Sequence, residues 1–282
     1  MRPLSVLVWM FWGACAQAQD APKFGIFGTV ETVTPLVVAG VQITVPDGLP
    51  VLSPLGQGVV ERGDTLALVA VLSEGGLVAA RMLEIYPVVG QVDAREGDTA
   101  WIMGTSVHVP PDADMPTGAR FAVSGLWSGE TVITSNLRTV DQSGFAHLTG
   151  IVMEEGSFAE GRVGGSALRG MRRPDDGFGT SPWIFSGIAV EDGLQVQLMT
   201  SGVFGGPVDL ALWQGYATGP VASQTYMIHG TEITGTARDA QMPLAGVLVT
   251  RCVKDGRVVV APPAGLDAGF AALKCAKHTP AG

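Results

Sequence analysis

The residues of this sequence that are best suited to chemistry are few and lie far apart. The closest group stands in the stretch HVPPDAD, which contains His108, Asp112 and Asp114. Two carboxylates one residue apart in a loop could share a hard cation with backbone oxygens. No third carboxylate and no EF-hand spacing accompany them, and aspartate before a turn is ordinary loop chemistry. They are weak metal-site candidates, and we expect neither a metal nor a cofactor in the protein.

Catalytic motifs are missing from the sequence. Residues 164–167, GGSA, come nearest to a Gly-x-Ser-x-Gly nucleophile motif, and the adjacent Glu154 and Glu155 cannot face each other across a cleft as the two acids of a glycosidase must. The four histidines are scattered along the chain, which favours single surface side chains over a metal cluster: His108, His147, His229 and His278. We therefore predict no catalytic residue, although catalytic triads are assembled in space and need no local motif.

Residues 124–132, SGLWSGETV, offer a pocket with Trp127 as its floor and Glu130 as its acid. The alternative is a β-hairpin, because a glycine or Ser-Gly turn between two apolar runs also occurs at 74–76, 191–193 and 254–256. This repetition favours the hairpin, with Trp127 packed inside its own barrel. The tryptophans at 101, 127, 183 and 213 could instead stack on sugars or on a partner, but core packing is the favoured interpretation.

The N-terminal residues predict the compartment. Arg2, an apolar stretch and the small residues up to Ala18 form a secretory signal peptide, residues 1–18. The alternative is a lipoprotein signal that is acylated at Cys15. After cleavage, no later apolar run reaches the ~20 residues of a transmembrane helix. We expect a periplasmic or secreted protein, or a lipid-anchored protein of the envelope.

Export gives the two remaining cysteines a structural role. Cys252 and Cys275 form an even pair in an oxidising compartment, which predicts a disulfide. Such a bond should stabilise the fold by about 3 kcal/mol. The formal net charge of −9 argues against a nucleic-acid partner, because phosphate binding requires clustered lysine and arginine. The one dense basic stretch, at 169–173, is followed at once by two aspartates.

Glycine-containing anchors recur four times along the chain, about 60 residues apart. The first anchor opens a strand, the second lies in a hairpin and the third is the turn of SGLWSGETV and its counterparts. The first and second anchors are Gly28 and Gly40, Gly90 and Gly104, Gly150 and Gly165, and Gly215 and Gly230. With 39 glycines and only 15% charged residues, the composition is typical of short strands joined by tight turns.

These anchors predict an all-β fold of tandem small five-stranded OB-like barrels or sandwich units, packed as a contiguous row. The expected units cover residues 24–87, 88–140, 147–204 and, more divergent, 208–264. A short C-terminal helix is expected in the tail at 265–282, where Leu266, Phe270 and Leu273 share one face.

The order of Gly-x-Val, a hairpin glycine, a variable loop and GDTLALVAV at 63–71 resembles the bacterial exported domain-of-unknown-function family 5666. The resemblance is best over residues 25–140 and weaker to 200. It implies tandem exported units and brings no catalytic residue with it.

Two functions follow from these observations. The favoured one is an exported, non-catalytic tandem β-repeat protein that binds or scaffolds an envelope protein or polysaccharide in the bacterial cell envelope. The alternative is a hydrolase or metal-dependent enzyme acting on envelope polymers, with its site in the variable loops at 46–63, 110–118 and 170–182.

Overall fold

The computed structural model describes residues 21–141, 144–154, 161–175, 177–179, 181–221, 224–236 and 242–277. The predicted signal peptide 1–18, Cys15 and His278 lie outside these residues. The described chain is almost entirely β, with one α-helix, α1 (Asp267–Ala272), and one 3-10 helix (Cys275–Lys277). The predicted all-β class and C-terminal helix are confirmed. No helix in the described ranges is long and apolar enough to cross a membrane.

The strands fall into four consecutive segments. Segment 1 contains β1 (Lys23–Val33), β2 (Leu36–Val38), β3 (Val41–Ile43), β4 (Val51–Ser53), β5 (Gly56–Gln57), β6 (Thr65–Ser73) and β7 (Gly76–Glu84). Segment 2 contains β8 (Val88–Glu96), β9 (Thr99–Ile102), β10 (Thr105–His108), β11 (Arg120–Ser128) and β12 (Thr131–Thr139). Segment 3 contains β13 (Phe145–Gly150), β14 (Met153–Glu154), β15 (Gly161–Val163), β16 (Ser166–Arg169), β17 (Trp183–Val190) and β18 (Gly193–Ser201). Segment 4 contains β19 (Leu210–Tyr216), β20 (Thr225–Met227), β21 (Thr234–Thr236), β22 (Leu248–Lys254) and β23 (Arg257–Val258).

Segment 2 forms a closed five-stranded barrel. Its strands pair in the order β8-β9-β10-β12-β11, and β11 pairs with β8 to close the ring. Strands β10 and β12 run parallel, whereas the other neighbours are antiparallel. Closure leaves the barrel without a free edge, and the result is the small OB-like barrel that the sequence predicts.

The segments are joined through two shared sheets. Strand β1 of segment 1 pairs in parallel with β19 of segment 4, from Phe24 opposite Leu210 to Phe27 opposite Trp213. Strand β8 of segment 2 pairs with β13 of segment 3. The prediction of a contiguous row did not include this contact, which makes the first and last segments direct neighbours. Pairing β1 with β19 covers strand edges that an open row would leave exposed at its two ends.

The first anchor glycines are required by close packing inside each segment. A Cβ atom on Gly28 would lie 2.9 Å from the Ala39 side chain, and one on Gly90 would lie 2.9 Å from Ile102 and Met103. Gly150 and Gly215 would meet Val163 and Ile228 in the same way, at 2.8 and 2.4 Å. In each case the neighbour belongs to the next hairpin of the same segment. Only glycine lets the two backbones approach this closely.

The C-terminal helix closes the core of segment 1. Leu266, Phe270 and Leu273 are buried with residues of β1 and β6. The predicted disulfide between Cys252 and Cys275 is present, with a Cα–Cα distance of 5.5 Å, and it ties the 3-10 helix to β22. The helix is shorter than expected because it stops at Leu273, after which Lys274 adopts a left-handed backbone with φ of 56°.

Candidate functional site

Trp127 lies where segments 2, 3 and 4 meet. Its indole Nε1–H donates a buried hydrogen bond to the backbone oxygen of Thr149 in segment 3, at 2.8 Å. Its ring rests on two further glycines, since a Cβ on Gly164 would lie 2.7 Å from the ring and one on Gly230 only 2.5 Å. Trp127 belongs to the joint core of segments 2 and 3. Trp127 packs with residues of its own barrel, as expected, and its ring also contacts Gly230 of segment 4.

A cleft of about 150 Å³ opens beside Trp127, and we call it the junction cleft. Glu130 from the β11–β12 turn lies on it, so the hairpin and the pocket are both present at SGLWSGETV. Segments 3 and 4 supply the rest of the lining, which includes Ile151, Met153, Val163, Met227, Ile228 and His229. Sequence periodicity found the hairpin but could not show that another segment faces it.

His229 is one of two titratable side chains, with Glu130, that line the junction cleft. Its side chain is half-buried, and burial lowers the pKa of its imidazole below the ordinary value. The ring is therefore neutral at physiological pH and can donate or accept a hydrogen bond or bind a metal ion.

The loop candidates His108, Asp112 and Asp114 are all exposed. The ring of His108 lies 3.5 Å from a carboxylate oxygen of Asp98, on a neighbouring strand end. Within the described ranges, no three histidine, cysteine, aspartate or glutamate side chains are grouped so that they could hold a metal ion together. The loop at 108–114 is an exposed surface loop in which the His108 ring lies beside Asp98.

His147 is buried, which corrects the expectation of a surface histidine. It lies on β13 between β8 and β17, with a relative exposure of 2%. Its two ring nitrogens lie 3.0 Å from the hydroxyls of Ser186 and Thr149. Either hydroxyl can rotate to accept or donate, so the neutral ring is satisfied at both nitrogens. Burial lowers the pKa of His147 to about 3.

Because of this lowered pKa, the protein should lose stability as the pH falls from 6.5 towards 3. The unfolded chain binds a proton at His147 near its ordinary pKa of 6.5, whereas the folded chain does so only near 3. Within that window His147 should lower the free energy of unfolding by up to about 1.4 kcal/mol per pH unit. Urea unfolding at pH 7, 5.5 and 4.5 should show that the free energy of unfolding falls less steeply with falling pH in the His147→Gln variant than in the unchanged protein.

The exposed His108 provides the control for this experiment. His108→Gln should unfold with the same pH slope as the unchanged protein, because the side chain of His108 is 48% exposed and stays hydrated in the folded protein. An unchanged slope in His147→Gln would show that other groups cause the acid sensitivity.

A second buried polar cluster joins segments 1 and 2. Asp64 and Glu84 have relative exposures of 1% and 2%, and Arg138 of β12 lies between them. The Arg138 guanidinium donates to a carboxylate oxygen of Asp64 and, at 3.1 Å, to Glu84 Oε1. The amide of Asn136 donates to Asp64 Oδ1 at 2.9 Å, and the hydroxyl of Tyr86 donates to Glu84 Oε2 at 3.0 Å.

The titration behaviour of this cluster follows from its burial. Desolvation raises the pKa of Asp64, and hydrogen bonds from Asn136 and the Glu61 backbone, with the charge of Arg138, offset part of that rise. Burial also raises the pKa of Tyr86, and the neighbouring Glu84 adds to the effect. Shifted acids often mark active sites. Here both carboxylates contact Arg138, and none of these three residues lines the clefts described in this section.

A larger cleft, of about 230 Å³, lies between segments 3 and 4, and we call it the outer cleft. Its lining is mostly apolar side chains and glycine backbone, including Pro182, Val203, Phe204, Val208 and Ile233, with Asp255 at an exposed turn. Trp213 forms part of its wall but is only 5% exposed, because its ring stacks on Phe27 at a centroid distance of 4.2 Å.

No family model, curated protein or solved structure matches this chain. The resemblance to family 5666 stays a prediction.

Proposed function

We propose that this protein is an exported, non-catalytic binding module of the bacterial cell envelope, built from four tandem OB-type units. Its ligand is an envelope partner that occupies the outer cleft. The observation that carries the proposal is the outer cleft itself, an open space between segments 3 and 4 lined by apolar side chains and backbone.

The repeated order of strand pairing supports the tandem organisation. In every segment the first strand pairs with the penultimate strand, as β1 with β6, β8 with β11, β13 with β17 and β19 with β22. In segments 2, 3 and 4 the strand before the penultimate one runs parallel to the last strand, and Thr44 after β3 makes a parallel bridge to Val78 of β7 in segment 1. Four copies of one topology fit the four glycine anchors.

The disulfide supports export. A bond between Cys252 and Cys275 persists in oxidising compartments and is rare in the reducing cytosol. It agrees with the signal peptide expected at residues 1–18, which would deliver the chain to such a compartment.

The walls of the outer cleft favour a protein partner over a polysaccharide. Sugar recognition by stacking needs an open aromatic face, and the face of Trp213 is covered by Phe27. Phe204 packs edge-on against the same ring, with centroids 5.8 Å apart. Apolar side chains of a polypeptide can fill such a cleft, while the surrounding backbone groups offer hydrogen bonds.

Site-specific photo-crosslinking in intact cells tests the proposal. A photoreactive phenylalanine analogue in place of Asp255, at the outer cleft, should yield a discrete crosslinked species in the envelope fraction. The same analogue in place of Asp47, an exposed residue of segment 1 that does not line the cleft, should not. Mass spectrometry of this protein within the crosslinked product should place its first residue at Gln19, or find a lipid on Cys15.

Two outcomes would contradict the proposal. Equal crosslinking at Asp255 and Asp47 would mean that the outer cleft has no specific partner. A crosslinked product that a glycan-degrading enzyme removes would overturn the preference for a protein.

A further inference from the structure

Two exposed methionines lie on the same small cleft, which is unusual for an apolar side chain. Of the ten methionines in the sequence, Met1 and Met10 lie outside the described residues. Among the others, only Met153 and Met227 are more than a third exposed, at 39% each. Both line the junction cleft, together with the half-buried His229.

We propose that Met153, Met227 and His229 bind one soft monovalent metal ion, Cu(I), in the junction cleft. This site goes beyond the proposed function, because it lies on a different cleft from the expected protein partner. It also revises the expectation that the protein holds no metal, which considered only histidine, cysteine and carboxylate ligands.

The backbone brings these three side chains to one space. Met227 is the last residue of β20, and His229 opens the turn that follows Ile228, while the neighbouring Tyr226 and Ile228 are fully buried at 0% exposure. Alternate residues of an extended chain lie on the same face, so Met227 and His229 both face away from that core. Met153 reaches the cleft from β14 of segment 3, across a volume of only about 150 Å³.

The chemistry of the three side chains selects a soft ion. Thioether sulfur prefers Cu(I) to Mg²⁺, Ca²⁺ or other hard cations, and imidazole also suits copper. Ile151 and Val163 give the same cleft apolar walls, and Glu130 at the exposed turn contributes a carboxylate to its lining.

The structure gives no competing role to these ligands. No hydrogen bond to the His229 ring is present among the described residues, whereas the ring of His147 has two hydroxyl partners. The two methionines are exposed, so neither one fills a gap in the core.

Metal titration of the full-length mature protein tests the site. Cu(I), kept reduced by ascorbate, should bind in a 1:1 ratio when the protein competes with a chromogenic Cu(I) chelator. Ag(I) should bind in the same ratio and quench the fluorescence of Trp127, the tryptophan on this cleft. Zn(II) and Ca(II) should not displace either ion.

Leucine variants distinguish a specific metal site from nonspecific binding. Met153→Leu and Met227→Leu should each weaken Cu(I) binding at least tenfold, and the double variant should abolish the 1:1 step. Leucine nearly matches methionine in volume, so the unfolding transition should be unchanged. Met199→Leu and His108→Gln, which alter residues away from the cleft, should bind Cu(I) as the unchanged protein does.

Three results would overturn the site. They are no Cu(I) binding at micromolar concentration, 1:1 binding that the two leucine variants leave unchanged, and displacement of Cu(I) by equimolar Zn(II). None of these results bears on crosslinking at Asp255, so this inference and the proposed function can fail separately.

Discussion

Replacing Arg138 with alanine is expected to lower the free energy of unfolding by about 3–5 kcal/mol. Arg138 is the cation between Asp64 and Glu84, whose side chains are only 1% and 2% exposed to solvent. Without the guanidinium, two buried negative charges face each other with only neutral hydrogen-bond donors to stabilise them. Urea unfolding at pH 7, followed by circular dichroism, measures the loss.

A second arginine provides a control with the same geometry and different burial. Arg173 lies 3.1 Å from Glu154, the same distance as Arg138 from Glu84, but Arg173 and Glu154 are 58% and 40% exposed. Because water screens that pair, Arg173→Ala should cost less than about 1 kcal/mol. Equal losses in the two variants would show that burial of the Arg138 cluster contributes nothing.

The pH dependence of the Arg138→Ala loss separates charge from packing. Uncompensated buried carboxyls have raised pKa values in the folded state, so they are protonated there before they are in the unfolded chain. Their penalty is full at neutral pH and shrinks as the pH falls towards their unfolded pKa values near 4. The difference in free energy of unfolding between the variant and the unchanged protein should therefore be smaller at pH 4.5 than at pH 7. A loss caused by packing alone would be the same at both pH values.

The segment architecture was predictable because glycine carries local geometric information. Gly40, Gly104 and Gly230 all have positive φ values, of 78°, 81° and 70°, as hairpin glycines should. In segment 3 the positive φ belongs to Gly164, not to the anchor Gly165 chosen from the sequence. Gly165 is needed for another reason, since a Cβ there would lie 1.9 Å from the oxygen of Gly104. Spacing alone cannot separate these two demands on a Gly-Gly pair.

The candidate sites were not predictable, because each is assembled from different segments. His147 has the apolar neighbours Ala146 and Leu148 in sequence, and its burial depends on β8 of segment 2 packing beside it. Met153 and His229 come from separate segments, and only the contacts between segments place them on one cleft. A periodic sequence specifies how each segment folds, but the pairing of β1 with β19 is a long-range choice that periodicity does not encode.

Replacing Trp127 with alanine is the other large change, with an expected loss of about 3–5 kcal/mol. The indole is 8% exposed and touches segments 3 and 4, so its removal leaves a cavity where three segments meet. The Thr149 carbonyl also loses its hydrogen bond. Trp101→Ala, which truncates a half-buried tryptophan of the same segment, should cost less, about 1–2 kcal/mol. Equal losses would show that the junction adds nothing to the packing of Trp127.

A double-mutant cycle with Gly230 shows whether Trp127 joins segment 2 to segment 4. Gly230→Ala meets two penalties: a left-handed backbone, which costs about 1–2 kcal/mol, and a Cβ only 2.5 Å from Trp127 Cδ1. In the Trp127→Ala background only the first remains, so the two losses should fall short of additivity by about 1 kcal/mol or more. Gly40→Ala, at φ of 78° with no atom within 4 Å of its Cβ, should cost the same in both backgrounds. Additive losses for Gly230→Ala and Trp127→Ala would mean that the indole does not contact segment 4, because a clash between the new Cβ and the indole would disappear when the indole is removed.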